Sequence, residues 1–281
     1  VTLLGKEGSM KMIDLSRLEP QETLNHTSKG NQLKWKCYGY WYKADHMGYE
    51  GLAETIVSAL LGKSTVKYPF VAYEYSQIKY KDRVYSGCKS ADFLADGYDL
   101  IPLEKLYRKF TGGSLAVDTA HQGEIKNQIK FLVNFVEQTT GLQNFGQYLT
   151  SMLEIDAFFL NEDRHTNNIA VQYNAADDTY ALCPLFDNGL SLLADTNMDF
   201  PLERSLEDCL KNVEAKPFSR CFDDQLDAAE ELYGIQLHFN FSTNDVKALI
   251  DSYRTAYSQE ICDRCEALIR RQMRHYGYLV K

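Results

Sequence analysis

The chain has 281 residues, of which 44% are hydrophobic and 25% are charged. This composition is typical of a globular protein and excludes a fibrous or intrinsically disordered chain. The length suits one large or two small, closely packed domains. Thirty basic residues against 39 acidic ones give a net charge of −9. Because no basic cluster stands out, direct binding of nucleic acid is not expected.

The apolar runs and the cysteines of the sequence indicate the cellular compartment of the protein. The longest apolar runs fall well short of the roughly 18 residues that a membrane span needs, and no secretory signal pattern opens the chain. Seven cysteines, an odd number, are scattered along the sequence, which predicts reduced thiols in a cytoplasm. Cys262 and Cys265 form the only Cys-x-x-Cys pair. We expect them to lie one turn apart on a helix rather than to bind zinc.

The first third of the chain carries β-type patterns, after a stretch 1–12 that is expected to be a flexible lead-in. Between Leu33 and Lys43, apolar or small residues occupy the odd positions. This period of two predicts one half-buried strand with Lys43 on the same face as Trp35 and Trp41, so that its ammonium group points inward. The alternative is an edge-strand lysine whose head reaches solvent.

A helix is predicted over residues 49–61, where apolar residues recur at helical spacing and Gly62 follows as a stop signal. Glu50 and Glu54 lie one turn apart on a neighbouring stripe of this helix. Two further strands are predicted, near 69–78 and 83–93. This order of strand, helix, strand and strand predicts a small sheet lobe with one helix packed against it.

Helical patterns dominate from Ile101 onward. Helices are predicted over 101–110, 121–138, 144–160, 202–212, 223–233, 243–257 and 260–276. Two polar loops and a short hairpin-like stretch interrupt them between Asn161 and Leu193. The predicted fold class is therefore α+β, with a smaller sheet lobe (13–93) that meets a mostly helical lobe (94–281) near Lys89 to Phe93.

Polar side chains are concentrated directly after the predicted helix 144–160. The segment 161–168 contains three Asn, one Asp, one Glu, one Arg and one His. Any one of these residues fits a solvated turn, but their spacing is more specific. Asn168 follows Asp163 by five residues, and Asp187 comes 24 residues after Asp163. Phosphoryl transfer needs oxygen ligands that hold Mg²⁺ against the phosphates and a carboxylate that orients the acceptor hydroxyl. A carboxylate, an amide and a second carboxylate from two adjacent loops would meet that need.

The segment from Asp163 to Asn168 and the downstream Asp187 resemble the HipA-like serine/threonine kinases of bacteria. The pattern Asp-Arg-His-x-x-Asn also occurs in phosphatidylinositol kinases, whereas Arg and His precede the Asp in eukaryotic-type protein kinases. The resemblance covers roughly residues 25–193. It implies a two-lobed protein-kinase-like fold with a small antiparallel-sheet N-lobe. It also implies ATP and Mg²⁺ as cofactors, and transfer of the γ-phosphoryl group to a serine or threonine of a protein.

The resemblance further implies a role for each matching residue. These roles are catalytic base for Asp163, Mg²⁺ ligand for Asn168 and Asp187, partner of the ATP phosphates for Lys43, partner of that lysine for Glu54 or else Glu50, and a brace of the loop for His165. Asp156, within the helix before the loop, is either a hydrogen-bonded anchor or a half-exposed carboxylate.

Two other segments are candidates for contacts with ATP. The loop of Ser28, Lys29, Gly30 and Asn31 lies between predicted strands, where backbone groups could receive phosphate oxygens. A plain hairpin turn is the alternative, because the loop matches neither a Walker A motif nor a full glycine-rich loop. Ser28 is also a candidate autophosphorylation site, as is Thr27 beside it. Lys89 and Ser90 occupy the expected hinge, where backbone groups would bond adenine.

Partners and competing functions remain open at the sequence level. An unidentified protein substrate is expected, and an antitoxin-like regulator is a second candidate partner. A lipid kinase is the competing enzyme class, although no basic amphipathic surface for anionic lipid is evident. A nucleotide-binding pseudokinase without turnover is the competing binding module, and an unrelated helical binding domain is a third reading.

Overall fold

The computed structural model describes residues 3–4, 12–21 and 32–281. The candidate phosphate loop of Ser28, Lys29, Gly30 and Asn31 lies outside the described residues, as does Thr27. The described strands are β1 (Leu3–Leu4), β2 (Met12–Asp14), β3 (Lys34–Cys37), β4 (Tyr40–Ala44), β5 (Tyr73–Tyr75), β6 (Gln77–Tyr80), β7 (Arg83–Tyr85), β8 (Gly87–Ala91), β9 (Tyr98–Pro102), β10 (Ala170–Asn174) and β11 (Thr179–Leu182).

The described helices follow the strands of the first third and fill most of the remaining chain. They are α1 (Glu50–Leu61), α2 (Leu103–Thr111), α3 (Leu115–Ala120), α4 (Ile125–Thr140), α5 (Phe145–Phe159), α6 (Leu206–Leu210), α7 (Phe222–Tyr233), α8 (Thr243–Asp251) and α9 (Gln259–His275). The predicted α+β class is confirmed. None of these helices combines the length and apolar character that crossing a bilayer requires.

The described strands form three sheets. Four antiparallel strands make the first, in the order β3-β4-β8-β5, and β9, β10 and β11 make a separate antiparallel sheet. The remaining sheet has the order β1-β2-β6-β7, and its β2–β6 pair is parallel. The sequence predicts only antiparallel pairing and a flexible lead-in over 1–12. The parallel β2–β6 pair contradicts the first expectation. Leu3–Leu4 and Met12–Asp14 form strands, but the rest of 1–12 lies outside the described residues, so the lead-in stays a prediction.

The predicted single strand at 33–43 is a hairpin of β3 and β4. Tyr38 and Gly39 have φ of 50° and 76°, the left-handed conformation that a two-residue hairpin turn requires. Trp35 pairs with Tyr42, and Lys34 pairs with Lys43. Since directly paired residues share a face, Lys43 lies on the face opposite Trp35 and on the same face as Trp41. The predicted common face is wrong for Trp35 only, and Lys43 is buried, as its predicted inward direction requires. A two-residue turn leaves the alternation unbroken in the sequence, which hides the reversal.

Each face of the β3-β4-β8-β5 sheet is covered by a different element. The Trp35 face packs on the β1-β2-β6-β7 sheet in a small core that includes Ile13 and Ile78. The Lys43 face packs on α1, which contacts β5 and β8. A Cβ at Gly51 of α1 would lie 2.5 Å from the carbonyl carbon of Gly87 in β8. The absence of a side chain therefore lets α1 approach the sheet closely.

Helix α5 is the centre of the helical region. All of its residues but Gln147 are buried, and it packs against α4, α7 and α9. The helix ends at Leu160, whose φ of 57° and ψ of 52° turn the chain out of the helix. Asn161 opens the polar loop directly after this turn. A rigid, buried helix therefore holds the start of the loop.

Several predicted helices differ from the observed ones. The predicted helix 121–138 corresponds to α4, which begins only at Ile125 because Gly123, with φ of 76°, separates it from α3. The predicted helix 101–110 begins within β9, because Ile101 pairs with Val171 of β10 and the strand runs directly into α2. Cys262 and Cys265 lie buried one turn apart on α9, as predicted, and all seven cysteines are free.

Candidate active site

Lys43 is buried beside two carboxylates. Its Nζ lies 2.5 Å from Glu54 Oε1 and 2.9 Å from Asp187 Oδ1, and 3.4 Å from the hydroxyl of Tyr73. Only 9% of Lys43 and 1% of Glu54 are exposed. Burial by itself lowers the pKa of Lys43, but the charges of Asp187 and Glu54 outweigh burial and hold this pKa well above its usual value. The group is therefore a fixed positive charge.

Glu54 and Glu50 have separate tasks. Both oxygens of Glu50 accept hydrogen bonds from the backbone before α1, with Oε1 2.6 Å from Met47 N and Oε2 3.0 Å from Gly48 N. Glu50 therefore holds the entry to the helix, where a carboxylate is also favoured by the helix dipole. Of the two candidates, Glu54 is the residue that contacts Lys43.

Asp187 occupies an unusual backbone conformation. Its φ of 63° lies in the left-handed region, which costs free energy for a residue with a side chain and is concentrated at functional sites. Burial raises the pKa of Asp187, but the charges of Lys43 and Lys34 outweigh it, and this pKa lies well below the usual value. The structure thus presents an ionised carboxylate beside the Lys43 ammonium.

Lys34 is a second cation near Asp187 that was not predicted from the sequence. It lies directly across from Lys43 in the β3–β4 hairpin and shares its face, and its charge helps to lower the pKa of Asp187. The one-strand reading places Lys34 on the solvent side instead. The signal that could have found it is the Tyr38-Gly39 pair, since a glycine between two short strand patterns is typical of a hairpin turn.

Asp163 and Asn168 contact each other within the polar loop. The side-chain amide of Asn168 donates to the backbone oxygen of Asp163 at 2.7 Å and to its Oδ2 at 3.0 Å. The other carboxylate oxygen, Oδ1, lies 3.6 Å from His165 Nε2 and 3.8 Å from Lys216 Nζ. Both distances are longer than a hydrogen bond allows. The Asp163 carboxylate is therefore oriented by Asn168, while one oxygen lies near two potential cations.

A buried ion pair holds this loop on α5. Arg164, 2% exposed at its side chain, binds Asp156 through two bonds, Nε to Oδ2 at 2.8 Å and a terminal nitrogen to Oδ1 at 3.0 Å. Burial raises the pKa of Asp156, and the neighbouring Arg164 offsets only part of this rise. Asn161 donates to Asp156 at 2.8 Å. Asp156 is thus the hydrogen-bonded anchor of the two readings that the sequence left open.

The same guanidinium joins the polar loop to the loop of Asp187. Arg164 donates to the backbone oxygen of Asn168 at 3.2 Å and to that of Phe186 at 3.0 Å. It also donates to the side-chain oxygen of Asn188 at 3.1 Å. A phenylalanine at position 188 would lose this last bond. One buried side chain therefore sets the relative position of the two loops.

Glu104 of α2 supports the polar loop from its other side. Its Oε2 accepts a hydrogen bond from the Thr166 hydroxyl at 3.0 Å. The same carboxylate accepts the backbone N–H groups of Leu115 and Ala116 at the start of α3, each at 3.1 Å. Nothing in the sequence marks Glu104 as part of the site, because an acidic residue in the first turn of a helix is common.

Asn168 and Asp187 bring an amide and a carboxylate oxygen, the ligand types that suit Mg²⁺. The described part of the chain has no group of three or more His, Cys, Asp or Glu placed to hold a metal. A metal at this site would therefore take its remaining ligands from water and substrate phosphates, as Mg²⁺ usually does. In this respect the donor set fits Mg²⁺.

Lys89 and Ser90 are not at a hinge. Both lie within β8, whose two neighbours in the sheet are β4 and β5. Their backbone groups belong to the hydrogen-bond ladders of that sheet and are not available to a nucleotide base. The connection to β9 is the segment 92–97, so any hinge lies there. Phe93 of this segment packs against Phe186, with 5.5 Å between ring centroids.

The fold is similar to that of a bacterial kinase. Neither a family model nor a curated protein matches the sequence. Among solved structures, the chain is similar to that of the Helicobacter pylori proinflammatory kinase CtkA, with a TM-score of 0.64 and 14% sequence identity. The similarity covers 94% of this chain and 95% of that chain. It extends the kinase-like fold well beyond the region 25–193 on which the sequence resemblance rests.

Proposed function

We propose that the chain is a HipA-like serine/threonine kinase of a bacterial cytoplasm, built from a sheet lobe (13–93) and a helical lobe (94–281). The observation that carries the proposal is the contact of Lys43 with Glu54 and Asp187. These residues come from a strand, a helix and a loop that lie far apart in the sequence. A buried ammonium held between two carboxylates, beside a loop with Asp163 and Asn168, suits the phosphates of ATP.

The proposed reaction transfers the γ-phosphoryl group of ATP to a hydroxyl group of a protein. A bond forms between the hydroxyl oxygen and the γ-phosphorus while the bond from that phosphorus to the β–γ bridging oxygen breaks, and ADP leaves. Asp163 orients the hydroxyl and accepts its proton. Lys43 pairs with phosphate oxygens. Asn168 and Asp187 would hold Mg²⁺, which neutralises charge on the phosphates when bound.

Two functions compete with the proposed protein kinase. The pattern Asp-Arg-His-x-x-Asn, which phosphatidylinositol kinases share, supports a lipid hydroxyl as acceptor. A pseudokinase would bind ATP without turnover. The retained Lys43, Asp163, Asn168 and Asp187 favour a working enzyme, since each has a separate task in transfer.

The proposal is tested with γ-labelled ATP and Mg²⁺, offered either with a mixture of dephosphorylated proteins or with vesicles that contain phosphatidylinositol. Label in protein, including the chain itself, supports the protein kinase, and acid-stable phosphoserine or phosphothreonine identifies the acceptor. Label in lipid alone would replace the protein acceptor by a lipid. Binding of Mg-ATP without any label transfer would favour a pseudokinase over an active kinase.

A further inference from the structure

Lys216 lies beside Asp163 although it is 53 positions later in the sequence. Its Nζ is 3.8 Å from Asp163 Oδ1. The residue belongs to the segment between α6 and α7, which neither the sequence resemblance nor the proposed function uses. The side chain is 45% exposed. A weak, partly solvated ion pair of this kind contributes little to stability, so stability alone does not account for its position.

The backbone around Lys216 is fixed to the polar loop and to α7. Glu214 N donates to Oε1 of the buried Glu162 at 2.9 Å, and Glu162 immediately precedes Asp163. Gln225 of α7, fully buried, donates to the backbone oxygen of Lys216 at 3.0 Å and accepts from Phe218 N at 3.3 Å. These bonds hold the segment in place whatever the side chain at position 216 is. The backbone of this segment is held by hydrogen bonds, whereas the ammonium group of the Lys216 side chain can move.

The loop 161–168 has no free arginine or lysine of its own to offer a phosphate. Its only such residue, Arg164, is buried and occupied by Asp156 and by the backbone oxygens of Asn168 and Phe186. The phosphoryl group in transfer must lie next to Asp163, because the hydroxyl that Asp163 orients attacks its phosphorus. Lys216 is already within 3.8 Å of that carboxylate, and its four-carbon stem has rotatable bonds to spare.

We propose that Lys216 is a catalytic residue that exchanges its contact with Asp163 for the γ-phosphoryl group and stabilises the charge on it during transfer. The inference rests on the proposed kinase function. The bonds that form and break are those given for the transfer, and Lys216 keeps its proton throughout. Release of the Asp163 oxygen from Lys216 also frees that oxygen to accept the hydroxyl proton. A cation that acts mainly in the transition state raises kcat more than it lowers KM.

The test compares Lys216→Met and Lys216→Arg with Lys211→Met, a matched control from the same segment whose exposed ammonium pairs with Asp208. Initial rates of label transfer from γ-labelled ATP give kcat and KM for ATP. Binding of ADP with Mg²⁺ is measured in the presence and absence of aluminium fluoride, which mimics the phosphoryl group in transfer. Thermal melts check that each variant is folded.

We expect Lys216→Met to lower kcat about 100-fold, with KM for ATP changed by less than about threefold. It should abolish most of the gain in ADP affinity that aluminium fluoride gives, while Lys216→Arg retains activity and Lys211→Met equals the wild type. A wild-type rate in Lys216→Met would overturn the role of Lys216 and leave the kinase proposal standing. The same holds for an equal loss in Lys211→Met. A wild type that transfers no phosphate would overturn both.

Discussion

Glu54 accepts a hydrogen bond at 2.9 Å from the backbone N–H of Asn188. The second oxygen of the same carboxylate contacts Lys43 Nζ at 2.5 Å. One side chain on α1 is thus bound both to strand β4 and to the loop of Asp187. A displacement of α1 would break the two contacts together. In the proposed enzyme, the position of this helix therefore determines whether Lys43 and Asp187 are correctly placed.

Glu54→Gln removes the charge but little volume. We expect it to lower kcat/KM for ATP by roughly 10- to 100-fold, because Lys43 loses one of the two carboxylates that hold its charged form in place. Initial-rate kinetics over a range of ATP concentrations measure the effect. Glu74→Gln is the matched control, since Glu74 is exposed and pairs with Lys89 outside the cluster. Equal kinetics in the two variants would show that the Glu54 contacts do not matter for turnover.

Arg164→Met leaves the Asp156 carboxylate buried without its partner. Breaking a buried pair in this way typically costs about 3–5 kcal/mol in the free energy of unfolding, and we expect a loss of that size in urea denaturation. Activity should fall as well, because the bonds to Asn168 and Phe186 disappear. The double variant Asp156→Leu with Arg164→Met should recover part of the stability but not the activity. A single variant as stable as the wild type would contradict the role of this pair.

Asp45 predicts a pH dependence of stability. Burial and the charge of Glu50 raise the pKa of Asp45 to about 7 from an ordinary value of 3.8, against the hydrogen bonds from Gly51 and Tyr257, which lower it. Ionisation is thus disfavoured in the folded state, and stability is lost as pH rises from about 4 through 7. Asn carries no charge; its side-chain oxygen can accept from Gly51 N, and its amide nitrogen can donate to the Tyr257 hydroxyl. The Tm of Asp45→Asn relative to wild type should therefore be higher at about pH 8 than at about pH 5. A Tm difference independent of pH would contradict this assignment.

Lys34→Met tests the second cation of the β3–β4 hairpin. Lys34 shares a face with Lys43 and acts electrostatically on Asp187, so we expect it to interact with nucleotide phosphates. A hydrogen bond to a charged group contributes about 1.5–3 kcal/mol, and the Kd for ATP should rise by roughly 10- to 100-fold. Isothermal titration calorimetry measures this affinity. Lys79→Met, in β6 of the β1-β2-β6-β7 sheet, is the control. Equal affinities in both variants would exclude Lys34 from the site.

The site could be predicted from the sequence where its residues are consecutive. Asp163 and Asn168 lie in one short loop, so their spacing alone brought them together. Lys43 and Asp187 required the analogy with known kinases, because nothing local states that two residues 144 positions apart meet. Arg164 reads as a motif residue, but its bonds to two loops depend on tertiary packing. Glu104 gave no signal for the same reason.

The fold could be predicted best where local patterns are long. The positions of α5, α7 and α9 follow from sustained helical periodicity. The hairpin of β3 and β4 could not be seen, because its two-residue turn continues the alternation of the strands. The predicted hinge at Lys89 and Ser90 failed because a strand that is central in its sheet has no distinct local pattern. Segment 92–97, where the chain leaves that sheet, carries the connection instead.

Transfer of label from γ-labelled ATP by wild type, Asp163→Ala and Asp187→Asn tests the central claim most directly. Melting curves with and without Mg-ATP verify that each protein is folded and report binding. We predict that wild type transfers phosphate and that both variants fall by at least about 10³-fold while they remain folded. Equal transfer by all three proteins would contradict the assignment of Asp163 and Asp187 as the residues that carry the chemistry.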